Sequence, residues 1–144
     1  MVEKYNLQRF IDAQNKVYSD VIEELKVGNK VTHWIWFIFP QLKGLGKSEA
    51  ANYYGISNVD EALEYTQNKI LWNRYLECCE ILLNLKDLTI YEILGCIDSI
   101  KFCSSLTLFY EASKLPVLEN LLSKYFDGKK CELTLKMLKT QVGG

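Results

Sequence analysis

Apolar residues recur at helical spacing along almost the whole chain. Leu7, Phe10 and Ile11 repeat at three and four and predict a short first helix. Asn15 offers an N-cap for a second, in which Val17, Val21 and Leu25 stand four apart; Gly28 sits where that helix stops. Ser48 can cap a short helix through Tyr54, closed by Gly55. Ser57-Asn58-Val59-Asp60 resembles a capping box with Asp in place of Glu and starts a helix near Asn58. Asn68 can cap a helix from Lys69 to Leu85, with Ile70, Tyr75, Cys78, Leu82 and Leu85 on or near one face. Thr89-Ile90-Tyr91-Glu92 is a capping box, and Gly95 ends its short helix. Asp98 opens a segment from Ser99 to Ala112 in which Phe102, Leu106, Phe109 and Tyr110 repeat helically. Pro116 suits the first turn of the next helix, which stops at Gly128, and a last helix covers Glu132 to Leu138. Alternation with period two is absent, although Val31 to Phe39 can be read as extended. The pattern predicts an all-α fold, one compact domain over residues 1–144 with about seven or eight short helices, arranged like an orthogonal bundle.

Composition narrows the functional classes. Of 144 residues, 49% are apolar and 24% charged, the balance of an ordinary globular protein with a real core. The net charge of −1 argues against a protein whose main work is neutralising nucleic-acid phosphates. Lys124, Lys129, Lys130, Lys136 and Lys139 make the final third more basic, but Glu119, Asp127 and Glu132 among them read as a solvated face. The N-terminus is polar, and the longest apolar run, Trp34 to Pro40, is too short to span a bilayer. A cytoplasmic protein without a membrane partner is expected. The five cysteines (Cys78, Cys79, Cys96, Cys103, Cys131) are odd in number and irregular in spacing. With one histidine in the chain, they suggest reduced, mostly buried thiols, no disulfide framework, no bound metal and no cofactor.

The most informative stretch is His33-Trp34-Ile35-Trp36-Phe37-Ile38-Phe39-Pro40-Gln41. It holds two of the three tryptophans, the one histidine and one of the two prolines. Aromatics ended by polar groups are how a pocket wall is often built. Together with Arg9-Phe10, Ala13-Gln14, Tyr18, Glu24-Leu25, Gly44-Leu45-Gly46 and Ser48, this stretch resembles a small family of bacterial and eukaryotic proteins classed as a domain of unknown function. Tyr54-Gly55-Ile56, Glu61-Ala62, Asp98, Lys101-Phe102, Ser104-Ser105, Thr107-Leu108-Phe109 and Thr134-Leu135 extend the likeness over nearly the whole chain. Some members of that family carry the label calpastatin, which we read as a misannotation. A mycobacterial member is mainly α-helical, so the resemblance implies a helical fold and supplies no activity. Where that family tends to have Asp before the last helix, this chain has Cys131, which removes a good N-cap.

Each candidate residue has a chemical and a structural reading. His33 is the one side chain whose ordinary pKa lies near neutrality, hence the acid–base candidate, yet a hydrogen-bonding role beside Trp34 explains it as well. Trp34 and Trp36 share a face on a strand and diverge by about 200° on a helix. Core packing explains at least one, and the other can stack on a flat ligand. Gly44, Gly46 and Ser48 bring flexible backbone and a hydroxyl to a helix start, where free amides attract anions. The spacing is not that of a P-loop, and a turn needing positive φ explains the glycines equally well. Lys101, Ser104 and Ser105 lie near one helix face; a Lys/Ser pair can act as nucleophile and base, while small hydroxyls also let helices pack closely. Arg9, Asp12 and Gln14 complete a polar pocket or simply pair on the surface. The expected site gathers His33, Trp34, Trp36, Gln41, Gly44, Gly46, Ser48, Lys101, Ser104 and Ser105 around a small-molecule anion or a nucleotide, with or without catalysis. The alternative is a non-catalytic interaction module that uses the aromatic segment as its anchor.

Overall fold

Local chemistry at the helix starts accounts for most of the boundaries. The computed structural model describes residues 4–143, and among them the chain forms nine helices and no strand. The first, α1 (Gln8–Val27), is a single helix of 20 residues, so the expected break at Asn15 is absent. Asn15 caps nothing: its Oδ1 accepts a hydrogen bond from Arg74 Nη2 at 2.8 Å. A tertiary partner replaces the local one, and a propensity-based stop is overridden. Phe10, Gln14, Val21 and Leu25 are the buried stripe of α1, and left-handed Gly28 ends it.

Residues 31–39 are not extended either. Ile35–Ile38 makes one helical turn, α2. After it, α3 (Glu49–Tyr53), α4 (Val59–Gln67) and α5 (Lys69–Asn84) start as expected, with Ser48, Asn58 and Asn68 accepting the amides of Ala51, Glu61 and Leu71 at 3.0–3.1 Å. A full capping box between Thr89 and Glu92 opens α6 (Ile90–Leu94). The longest buried element, α7 (Cys96–Ser113), starts two residues before Asp98, and α8 (Pro116–Phe126) has its proline in the first turn. The last helix, α9 (Glu132–Gly143), outruns the expected end at Leu138. No helix of the described residues is long and apolar enough to cross a membrane.

The helices enclose one connected hydrophobic core with α7 through its middle; α2, α4, α6, α8 and α9 all pack on it. From Ser104 to Phe109 every residue of α7 is buried. Phe39, Tyr75, Tyr65 and Phe109 form a chain of tilted and edge-to-face rings around it, with Phe39 and Phe102 4.6 Å apart. The buried hydroxyls of α7 are satisfied inside the fold. Ser104 Oγ and Thr107 Oγ1 donate to the carbonyls four residues back at 3.1 and 2.8 Å, and Ser105 Oγ meets Tyr75 Oη at 2.9 Å.

Two contacts close the loop between α2 and α4. Leu42 and Ile56 form a parallel bridge, with Lys43 N donating to Ile56 O at 2.8 Å and Ile56 N to Gln41 O at 2.9 Å. A Cβ at Gly55 would stand 2.7 Å from Lys43 Cα, so this crossing admits only glycine. The second contact is Arg9, which is not a surface pair. Its side chain is 8% exposed; Nη2 reaches Glu61 Oε2 at 2.9 Å and Gly55 O at 3.0 Å, and Nε donates to Tyr53 O at 2.8 Å. Glu61, 1% exposed, also accepts the Ser57 amide at 2.8 Å. Removing one partner of a buried pair strands the other charge. We predict that Arg9→Met lowers stability by about 3–5 kcal/mol, measured as the urea midpoint with an unchanged slope; a loss under about 1 kcal/mol, the worth of a surface pair, would contradict this.

Candidate functional site

The aromatic segment is held from beneath by one carboxylate. Glu24, in the last turn of α1, accepts the amides of Val31 and Thr32 at 2.7 and 3.0 Å, the Thr32 hydroxyl at 2.6 Å and Trp34 Nε1 at 3.0 Å. Burial alone would raise its pKa, but these donors favour the charged form and bring it from 4.5 to about 2. Trp34 itself is fully buried, with the Lys30 ammonium 4.9 Å from its ring centre. Lys30 is in turn paired to Asp98 at 2.8 Å. Trp34 is therefore a core residue and not a stacking platform.

Beside this anchor the structure forms a narrow crevice lined by Ile35, Trp36, Phe39, Gln41, Ala51, Tyr54, Gly55 and Lys101. Its volume is about 10 Å³, room for a single water. The Lys101 ammonium lies 5.3 Å from the Trp36 ring centre and forms no ion pair among the described residues. Trp36 is half-buried, and its indole Nε1 is buried with no hydrogen-bond partner among the described residues. The glycine loop packs alongside: a methyl on Gly46 would stand 2.6 Å from Ala51 Cβ and 3.5 Å from Gln41 Nε2, so close approach excludes a side chain there. Gly44 has φ of 103° and does need glycine for its turn.

Three of the expected site residues, Trp36, Gln41 and Lys101, thus come together, with Gly46 against them. The others lie elsewhere. His33 is exposed and makes no hydrogen bond among the described residues. Ser48 spends its oxygen on the Ala51 amide, which removes a free donor from the short α3 start. Ser105 is committed to Tyr75, and Ser104 faces Cys131 Sγ at 3.3 Å, away from Lys101. Gln14 is buried and structural: its Nε2 donates to Phe37 O at 2.7 Å and its Oε1 accepts from Arg74 at 3.2 Å. Among the described residues Asp12 accepts only from Gln8, at 2.9 Å. Tyr54 and Ala51 enter the crevice without having been singled out as ligand residues; the capped helix between Ser48 and Gly55 was the signal that could have placed them. Burial pushes the Tyr54 phenol above its ordinary value, so it stays a neutral hydrogen-bonding group.

The Glu24 carboxylate yields a pH test. Its folded pKa is depressed, so its stabilisation is complete above about pH 4.5 and drains away as pH falls towards 2. Glu24→Gln is expected to lose about 1 kcal/mol at neutral pH, because water reaches the carboxylate and screens its hydrogen bonds. The gap from wild type should shrink as denaturation curves are taken down through that window. A gap constant with pH would show that the charge is not what matters.

Comparison with known proteins then gives two findings. The family model described as a protein of unknown function, DUF1810, matches residues 4–138. The crystal structure of the conserved hypothetical protein Rv1873 from Mycobacterium tuberculosis is similar over 95% of this chain and 99% of its own, with a TM-score of 0.94 and 42% sequence identity. Among curated proteins, nothing matches the chain.

Proposed function

The chain belongs to the DUF1810 family, whose function is unknown, and we propose from its own geometry that it binds a small anionic ligand at the Trp36–Gln41–Lys101 crevice. The observation that carries this reading is the buried indole N–H of Trp36 without a partner. An orphaned buried donor costs about 1–3 kcal/mol, and an acceptor that reaches it offsets that cost. Lys101 over the same ring and the Gln41 amide add a charge and two further donors. Three donors, one of them a cation without an ion pair among the described residues, suit a carboxylate or phosphate group.

The small volume sets the mode of binding. Only an oxygen of the anionic group enters, and the body of the ligand rests on the surface outside. A phosphorylated metabolite or the phosphate end of a nucleotide fits that description; a stacked base does not, because Trp34 is buried and one face of Trp36 lies under Lys101. His33 does not line the crevice, so the reading is one of binding. The interaction-module reading has little surface left in this segment: from Trp34 to Pro40 only Trp36 is not buried.

Thermal unfolding with inorganic phosphate, acetate, sugar phosphates and nucleoside phosphates tests the proposal. A ligand at a hundredfold its Kd should stabilise the fold by about 2.7 kcal/mol. The gain should be lost in Lys101→Gln and weakened in Trp36→Phe, which keeps the ring and removes the N–H. Absence of stabilisation by any of these anions, or equal stabilisation of Lys101→Gln, would overturn the assignment.

A further inference from the structure

Elsewhere on α7 a second cavity, of about 210 Å³, is lined by Cys103 and Cys131 with Tyr91, Ser99, Ile100 and Phe126. The two cysteines are tied to one hydroxyl: Thr107 Oγ1 donates to Cys103 O at 2.8 Å and accepts the Cys131 amide at 2.9 Å. Cys131 occupies the N-cap of α9, and its sulfur is an acceptor. Ser104 Oγ lies 3.3 Å from it, sharing its hydrogen with Ile100 O at 3.1 Å. The amides of Leu133 and Thr134, in the first turn of α9, add to the pull that favours the charged form of this sulfur. Thr134, in the same turn, is wholly buried, and its hydroxyl has no hydrogen-bond partner among the described residues. A hydroxyl and the amides of a helix N-terminus beside a sulfur favour its thiolate, the nucleophilic form. Cys103 has no such shell; its thiol makes one long contact, 3.7 Å, to Lys129 O.

We propose that Cys131 is a hydroperoxide-reactive thiolate reached through this cavity, and that Cys103 is its resolving partner. In the first step the Cys131 sulfur attacks the distal oxygen of a hydroperoxide. The O–O bond breaks, the sulfur gives up two electrons to become the sulfenic acid, and the leaving alkoxide or hydroxide takes a proton from water. In the second step the Cys103 sulfur attacks the Cys131 sulfur. The S–O bond breaks and hydroxide leaves with the Cys103 proton as water. The net change is two thiols and one hydroperoxide to one disulfide, one alcohol or water, and one water.

The remaining electrostatics assign the roles in that order. Although burial opposes it, the donors hold the Cys131 thiol below its ordinary pKa. Burial and the neighbouring Cys131 push Cys103 up to about 11, so it waits as a thiol. Cys78 and Cys79 are buried and raised, which removes them from competition, and Cys96 is exposed but has no donor shell.

The experiment uses the full chain, reduced and then freed of reductant. After an equimolar dose of hydrogen peroxide, peptide mapping should find Cys103 joined to Cys131, the intact mass lower by two hydrogens, and both reversed by dithiothreitol. Cys103→Ser should stop at a dimedone-trapped sulfenic acid on Cys131. Cys131→Ser, which keeps a good N-cap and hence the helix, should yield neither product. Limiting iodoacetamide should label Cys131 several-fold faster than the more exposed Cys96, and Ser104→Ala with Thr134→Val should abolish that lead. Labelling of Cys96 first, or a disulfide formed between chains through Cys96, would overturn the nucleophile. A lasting sulfenic acid on Cys131 with Cys103 intact would overturn the resolving role.

Discussion

Everything in this fold is arranged around the burial of α7. A helix covered on several faces cannot send its polar side chains to water, so each must be satisfied inside the fold. Serine and threonine solve this because their hydroxyls reach the carbonyl one turn back, as at Ser104 and Thr107. Their small size lets α4, α8 and α9 approach closely, while Phe102 and Phe109 fill the remaining space with rings. The polar residues on α7 that are not closed off in this way are therefore conspicuous. Lys101 and Cys103, neither fully buried, are two of them, and each lines a cavity.

Charge compensation separates structure from candidate function in the same manner. Arg9 and Glu61 neutralise one another, Lys30 faces Asp98, and Glu24 is enclosed by four donors. Arg9 and Glu24 anchor α1 to two loops that would otherwise have only short helices to hold them, and Lys30 ties one of these loops to α7. Lys101 lacks such a partner among the described residues and stands over an indole whose N–H also lacks one. Uncompensated donors concentrated in one place cost free energy that a purely structural arrangement could avoid, for instance with phenylalanine at position 36.

What the sequence made legible follows the range of the interactions involved. Caps at Ser48, Asn58, Asn68 and Thr89 act within three residues, so their chemistry was visible in the chain. Asn15 misled because its partner, Arg74, lies 59 residues away. Residues 31–39 looked extendable because a four-residue helix is too short to show a period; the fastening by Glu24 and the burial of Trp34, Ile35 and Phe37 decide its shape. Trp36, Gln41 and Lys101 were legible as types and their meeting was not, since the contact joins α2 to α7 across 65 positions of chain. Ser104 and Ser105 looked equivalent to Lys101 because one helix carries all three. Only the packing shows that their hydroxyls face other elements.

Helical geometry also makes the two cavities independent. Lys101 and Cys103 are two residues apart on α7, hence about 200° apart around its axis. One meets α2 and the glycine loop; the other meets the turn that leads into α9. Between them Phe102 is fully buried in the core. A change at the crevice would have to move a close-packed ring to be felt at the thiols, and cores resist such movement. Anion binding and thiol chemistry can therefore be altered one at a time, and coupling between them would show that α7 shifts as a rigid body between two positions instead of serving as a fixed axle.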